Sequence, residues 1–213
     1  MNKPRVLLAD DHSLVVAALK KLLEPEFEIV GTVSDGHELL LVAPQLKPDV
    51  VVIDLSMPLL NGMDAGTQLK RSMPLVKLIV LTMSEDSELA VEALRHWASG
   101  YLLKKSAGPE LAKAIRDVLK GKPYVTPKMA RRLAEEFIRD PRPDHQEKKL
   151  TPRQREVLQL VTEGRTMKEI AAILNISPRT AAFHKYRIME NFSLHTTAEL
   201  VRFAISKNIL IES

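Results

Sequence analysis

Along the first 121 residues, short aliphatic runs alternate with stretches whose apolar residues recur every three to four positions. Val6-Leu7-Leu8-Ala9, Glu28-Ile29-Val30, Val50-Val51-Val52-Ile53, Leu78-Ile79-Val80-Leu81 and Tyr101-Leu102-Leu103 read as strands. The most hydrophobic of them are apolar at consecutive positions, as expected where helices cover both faces of a sheet. Amphipathic stretches near 13–24, 36–45, 62–72, 87–97 and 109–120 read as the intervening helices. Repeated strand–helix units predict a doubly wound α/β domain over residues 1–121, with a five-stranded parallel sheet and right-handed crossovers. Ligands of such a sheet gather beyond the carboxyl ends of its strands.

The pattern then changes. Residues 122–147 read as a linker that is partly helical, with a helix over Met129–Arg139 and a solvated stretch at Asp140-Pro141-Arg142-Pro143-Asp144-His145. Residues 148–213 carry no strand signal. Thr151-Pro152-Arg153-Gln154, Thr166-Met167-Lys168-Glu169 and Thr196-Thr197-Ala198-Glu199 each set Thr three residues before Gln or Glu, the spacing of a capping box. Ser177-Pro178 supplies an N-cap followed by proline at the first helical position. Four short helices are predicted, the middle pair (Met167–Asn175 and Pro178–Phe192) forming a helix-turn-helix.

Charge separates the two halves. Residues 1–121 hold 14 Lys/Arg against 16 Asp/Glu, and residues 122–213 hold 17 against 11. An acidic half joined to a basic half suggests that one end handles cations or phosphates and the other a polyanion. The absence of cysteine excludes disulfides and thiolate metal sites. No apolar run approaches the roughly 18–20 residues of a spanning helix, and the opening residues show no secretory cleavage site. A cytoplasmic protein with no membrane partner is the expectation.

Several strand ends carry polar residues foreign to a core. The first strand ends in Asp10-Asp11, the third in Asp54 and the fourth in Thr82, and Lys104 follows the fifth. Crowded carboxylates repel unless a cation sits among them. An open, oxygen-only site suits Mg²⁺ (or Mn²⁺), held through one or two carboxylates plus a phosphate. A carboxylate can also act as nucleophile and form an aspartyl phosphate. Asp54, the lone acid on the central strand, reads as acceptor. Asp10 and Asp11 then hold the metal, Asp11 directly, while Lys104 and Thr82 neutralise phosphoryl oxygens. Taken singly, Asp10-Asp11 could be a turn and cap, Thr82 a satisfied strand-end hydroxyl and Lys104 a solvated lysine. Their joint placement favours a site.

Leu8-Ala9-Asp10-Asp11-His12, Ile53-Asp54-Leu55-Ser56-Met57-Pro58 with Asn61-Gly62, Leu81-Thr82 and Gly100-Tyr101-Leu102-Leu103-Lys104 resemble the receiver domains of two-component response regulators. The resemblance implies a flavodoxin-like fold, phosphorylation of Asp54 by a sensor histidine kinase, and Mg²⁺ bound by Asp11, Asp54 and the Ser56 backbone carbonyl, with Asp10 acting through water. It also implies that Thr82 shifts toward the phosphoryl group while Tyr101 turns inward, reshaping the surface of the fourth helix, fifth strand and fifth helix. Lys105 departs from a position where relatives often carry an acid.

In the predicted second helix of the helix-turn-helix, Ala181, His184, Ile188 and Phe192 share one face, assigned to the core. His184 accordingly reads as a hydrogen-bonded structural histidine rather than a metal ligand. The opposite face carries Arg179, Ala182, Phe183 and Tyr186. Ala182, Phe183 and Tyr186 suit apolar contact with thymine methyl groups better than pairing with guanine. Arg153, Arg165, Lys168, Arg179 and Lys185 would contact phosphates around the rim. Leu150-Thr151-Pro152-Arg153-Gln154-Arg155-Glu156-Val157-Leu158, Lys168-Glu169-Ile170-Ala171, Ile176-Ser177-Pro178-Arg179-Thr180 and Ala198-Glu199-Leu200-Val201 resemble the LuxR-type domain of the NarL/FixJ response regulators. That resemblance implies a transcription factor that binds double-stranded DNA as a homodimer, places Thr180 at the DNA-binding surface, and makes the final helix, about 197–207, one dimer surface. Met167 and Ala181-Ala182 depart from the usual residues there.

A phosphatase with an aspartyl-phosphate intermediate would set its nucleophile in an Asp-x-Asp arrangement after the first strand, whereas here the lone acid is on the third. A DNA-binding protein with a purely structural first domain would lack site residues, and none is missing.

Overall fold

The computed structural model describes residues 3–139, 150–207 and 209. The first domain runs β1 (Arg5–Ala9), α1 (Ser13–Leu23), β2 (Glu28–Val33), α2 (Gly36–Leu46), β3 (Val50–Ile53), α3 (Gly62–Ser72), β4 (Lys77–Thr82), α4 (Ser87–His96), β5 (Gly100–Leu103) and α5 (Ala107–Leu119). The strand runs form a parallel sheet in the order β2-β1-β3-β4-β5. One apolar cluster, including Leu7, Val51, Ile53, Leu78 and Val80, fills one face, and a second, including Val6, Leu8, Val52, Ile79 and Leu102, fills the other. Burial on both sides explains why these strands are apolar at consecutive positions.

The sheet has six strands rather than the five expected. Tyr124–Val125 adds β6 alongside β5, where Gly100 pairs with Tyr124 and Tyr101 with Val125. Thr126 continues the attachment: its N–H donates to the Tyr101 carbonyl at 3.0 Å, and its hydroxyl accepts from the Leu103 N–H at 3.1 Å. Helix α6 (Pro127–Arg139) follows, with Met129 fully buried in the sheet's core. The expected helix over Met129–Arg139 therefore starts two residues earlier. The segment after α5 begins as part of the sheet. The solvated stretch expected at residues 140–145 lies outside the described residues.

The helical domain comprises α7 (Pro152–Thr162), α8 (Met167–Ile173), α9 (Pro178–Asn191) and α10 (Thr197–Ser206). Thr151 and Thr166 form full capping boxes with Gln154 and Glu169. Thr196 caps α10 by accepting from the Glu199 N–H, while the Glu199 side chain reaches one residue further back, to the His195 N–H. Each such cap stabilises its helix by about 0.5–2 kcal/mol. Val157, Leu158, Ile170, Ala181, Ile188 and Leu200 are buried in the domain's core.

Gly62 fixes the approach of α3 to the end of β3. A Cβ there would lie 2.0 Å from the backbone oxygen of Asp54, and the Gly62 N–H donates to the Leu55 carbonyl at 3.0 Å. We expect Gly62→Ala to destabilise the first domain by at least about 2 kcal/mol, read from urea unfolding. An unchanged midpoint would mean that α3 is free to shift away from the strand.

Candidate functional site

Register brings the acids together. Ala9 and Ile53 pair across β1 and β3, so the residues that follow them, Asp10 and Asp54, leave adjacent strand ends side by side. Thr82 pairs with Leu103 across β4 and β5, which sets Lys104 next to them. Asp10 is 5 % exposed and Asp54 2 %. Lys104 Nζ lies 2.8 Å from Asp10 Oδ2 and donates to Asp54 Oδ2 at 2.9 Å, bridging the two carboxylates. Burial raises the Asp54 carboxyl above the ordinary value, opposed by the Lys104 contact. Burial depresses the Lys104 ammonium, but its contacts to Asp10 and Asp54 outweigh this, and the net shift is upward.

Asp54 Oδ1 is buried and has no hydrogen-bond partner. Asp54 lines an open pocket of about 300 Å³ together with His12, Ser56, Met83, Lys104 and Lys105. Asp11 is solvent-exposed at the rim, and ligand atoms of Asp10, Asp11, His12 and Asp54 all lie within 4.8 Å of one another. Three carboxylates, with Asp54 Oδ1 buried and without a hydrogen-bond partner, fit a hard divalent cation. Ser56 lines the same pocket. His12 stands with these acids. Its Nδ1 is 2.8 Å from Asp11 Oδ1 and 3.2 Å from Asp10 Oδ1, so it orients both acids. Lys105 reaches Glu85 at 3.8 Å, where Lys128 of α6 also bonds at 2.6 Å.

Thr82 is fully buried and its hydroxyl accepts from the Ser84 N–H at 3.1 Å. Tyr101 is also fully buried, its hydroxyl donating to the Ser84 carbonyl at 3.3 Å. Burial raises the Tyr101 phenol far above its ordinary range, keeping it a neutral donor. Ser84 thus joins the two side chains, a bridge that sequence reasoning did not single out. Tyr101 points inward in this structure, beneath the β6–α6 segment.

On α9, Ala181 and Ile188 are fully buried and Phe192 packs against the core, as the helical face predicted. His184 is only half-buried and sits edge-on to Phe183 at 5.8 Å. Burial lowers its imidazole, with Arg153 adding to the effect. Arg179 and Thr180 are exposed, Ala182 is half-buried, and Phe183 and Tyr186 are 56 % and 66 % exposed. Two large aromatic side chains in water on one helix face are a candidate contact surface. Arg165 and Lys168 are exposed nearby in sequence. Arg153 is engaged within the domain, donating to Glu156 at 2.6 Å and to the Leu174 carbonyl at 2.6 Å. Lys185 donates to the Thr197 hydroxyl at 3.2 Å. These two cations brace helices in this structure.

Comparison with known proteins follows the same division. The family described as "Response regulator receiver domain" matches residues 6–116, and that described as "Bacterial regulatory proteins, luxR family" matches residues 148–204. The oxygen regulatory protein NreC of Staphylococcus carnosus is 35 % identical over 97 % of this chain and 99 % of its own. NreC of Staphylococcus aureus is 36 % identical with the same coverage. Among solved structures, the Salmonella typhimurium RcsB response regulator is 30 % identical, with a TM-score of 0.67, covering 99 % of this chain and 100 % of that one. An RcsB–DNA complex is 30 % identical, with a TM-score of 0.60, covering 96 % of this chain and 99 % of the other.

A cation that binds the folded site alone stabilises it by about 2.7 kcal/mol at a hundredfold excess over its dissociation constant. Saturating Mg²⁺ should therefore raise the melting temperature by roughly 5–10 °C, an effect that Asp11→Ala should largely remove. A melting curve indifferent to millimolar Mg²⁺ would count against the metal site.

Proposed function

Because the chain belongs to the two-component response regulators of the NarL/FixJ type, joining a receiver domain to a LuxR-family DNA-binding domain, we propose that phosphorylation of Asp54 controls its dimerisation and its sequence-specific binding to DNA. The carrying observation is the Asp54 carboxylate. One oxygen is held by Lys104, while the other is buried and without a hydrogen-bond partner, in a residue that lines the pocket.

The donor is a phosphohistidine of a sensor kinase. An oxygen of the ionised Asp54 carboxylate attacks phosphorus, the P–N bond breaks, and the leaving imidazole nitrogen takes a proton from solvent water. Lys104 supplies a fixed positive charge beside the transferring group, where a pre-set charge in a partly dry site is worth most. Asp10, Asp11, Asp54 and the Ser56 carbonyl would hold Mg²⁺ (or Mn²⁺), whose chemistry is to neutralise phosphoryl charge. Asp10 and Asp11 are kept in place by His12. The Thr82 hydroxyl has its oxygen occupied by the Ser84 N–H and its proton free to donate to a phosphoryl oxygen. Movement of Thr82 would pull on Ser84, which also holds the Tyr101 hydroxyl. Strand β5 carries Tyr101 to β6 and α6, so the shift would reach the segment leading to the helical domain.

At the other end, α9 presents Arg179, Thr180, Ala182, Phe183 and Tyr186 to the major groove. Arg165 and Lys168 meet phosphates, with Arg153 and Lys185 available once their internal contacts exchange. Pairing of two copies, with α10 as one surface, would place two such helices on neighbouring half-sites. Ile205 of α10 is 44 % exposed, an apolar contribution to that surface. Among described helices none is long and apolar enough to cross a membrane. A role on DNA would put the protein in the cytoplasm.

Incubation with a small acyl phosphate and Mg²⁺ should attach one phosphoryl group, with Asp54→Asn abolishing it by intact-protein mass measurement; persistent labelling of that variant would overturn the acceptor assignment. DNA affinity should fall steeply with salt, as expected of phosphate contacts. Tyr186→Ala should weaken specific binding by about 1–3 kcal/mol with little change in that salt slope, as for a base-edge contact. A change confined to the salt slope would move Tyr186 from the bases to the backbone.

A further inference from the structure

A cluster of amines lies at the other end of the sheet, away from Asp54. Lys77 opens β4 in register with Val50 at the start of β3, and its N–H donates to the Asp49 carbonyl at 3.0 Å. These strand starts border a cavity of about 390 Å³ whose lining includes Lys47, Asp49, Leu75, Val76 and Lys77. Lys70, in the last turn of α3, donates from Nζ to the Val76 carbonyl at 3.0 Å, which fixes its amine at the cavity wall. Asp49 is the acid of this lining, and its carboxylate accepts from the Arg5 N–H at 2.8 Å. Among the described residues, no carboxylate pairs with Lys47, Lys70 or Lys77. Lys70 and Lys77 are both half-buried, and like charges in a partly dry site disfavour each other. Burial and the Lys77 charge together hold the Lys70 ammonium below its ordinary value. Lys104 shifts the other way, because two carboxylates stand beside it.

A lysine that is partly desolvated and set beside another cation is an activated nucleophile, since the neutral amine carries the free lone pair. Ammonium groups without a carboxylate partner are also point charges that suit a phosphoryl group. We propose that this cavity is a cradle for acyl phosphates and that Lys70 is an acylation site. The phosphoryl end of the donor lies against Lys47 and Lys77, which brings the acyl carbon to the Lys70 nitrogen. That nitrogen attacks the acyl carbonyl carbon, and the C–O bond to phosphate breaks. Phosphate leaves with the bonding pair, and the proton released from nitrogen goes to solvent water. The product is an uncharged amide whose N–H can still donate to the Val76 carbonyl. One of two opposed charges is thereby removed while the hydrogen bond is kept. Asp54 would take the phosphoryl half of such a donor, whereas Lys70 takes the acyl half, and neither reaction depends on the other.

The test uses the full chain, acetyl phosphate as donor and a chelator in place of Mg²⁺, with acetylation read at each lysine by peptide mass spectrometry. Lys21, solvent-exposed on α1, serves as internal reference. Lys70 should be acetylated about threefold faster than Lys21 or better, and denaturing urea should abolish the preference. Lys47→Gln should slow acetylation of Lys70 about twofold or more while leaving Lys21 unchanged. N-acetoxysuccinimide, an uncharged donor, should label Lys70 equally in both proteins, which separates lost anion attraction from misfolding. Asp54→Asn should acetylate Lys70 as the wild type does. Lys70 labelled no faster than Lys21 would overturn the acylation site. A Lys47→Gln rate equal to the wild type's with acetyl phosphate, or an equal fall with the uncharged donor, would overturn the cradle. Loss of Lys70 acetylation in Asp54→Asn would overturn direct attack by Lys70 on the donor.

Discussion

Two almost fully buried carboxylates share one cation at the carboxyl edge of the sheet. Asp10 and Asp54 stand side by side because Ala9 and Ile53 are in register, and Lys104 lies within 3 Å of both. Removing a single partner from such a group leaves a buried charge uncompensated, commonly at a cost of about 3–5 kcal/mol. Burial works against the ionised form of Asp54, and the Lys104 contact opposes it. The arrangement keeps one carboxylate oxygen of Asp54 occupied and leaves the other buried without a hydrogen-bond partner. The surrounding structure follows from that need. Gly62 lets α3 pass against the Asp54 backbone, His12 steadies Asp10 and Asp11, and Ser84 ties Thr82 to Tyr101.

The strands, helices and acidic cluster were legible because each is written in local chemistry. Consecutive aliphatic residues mark strands covered on two faces, and acids at strand ends have no packing reason to be there. Thr151 and Thr166 sit three residues before their capping partners, and both boxes form. Strand β6 was not legible. Two residues flanked by Pro123 and Pro127 show no periodicity, and their pairing depends on an edge that exists only after β5 has formed. The Ser84 bridge was hidden for a related reason, since it is made by backbone atoms of a loop.

The seam between domains shows a deeper limit. Arg155, Glu156 and Gln159 of α7, with Glu163 at its C-cap, are polar residues of the kind that commonly face solvent on a short helix. Glu156 and Gln159 are nevertheless buried, against residues about ninety to one hundred positions earlier. A trace was present in Pro58-Leu59-Leu60, an apolar loop where a solvated turn would be polar. Likewise Arg153 and Lys185 looked like phosphate contacts by charge alone, yet in this structure they brace α8 and α10. Charge identifies candidates, and competition among partners within the fold decides their employment. Phe183 and Tyr186 remain more than half exposed, which leaves that face of α9 open while the first helix of the domain is held.

The central claim is that the state of Asp54 governs what the helical domain binds. Selection from a pool of genomic DNA fragments, run with the phosphorylated full chain and with Asp54→Asn under the same donor, tests it most directly. The account predicts that the wild type enriches fragments carrying paired, two-fold related half-sites and that Asp54→Asn does not. Equal enrichment of the same fragments by both proteins would contradict it.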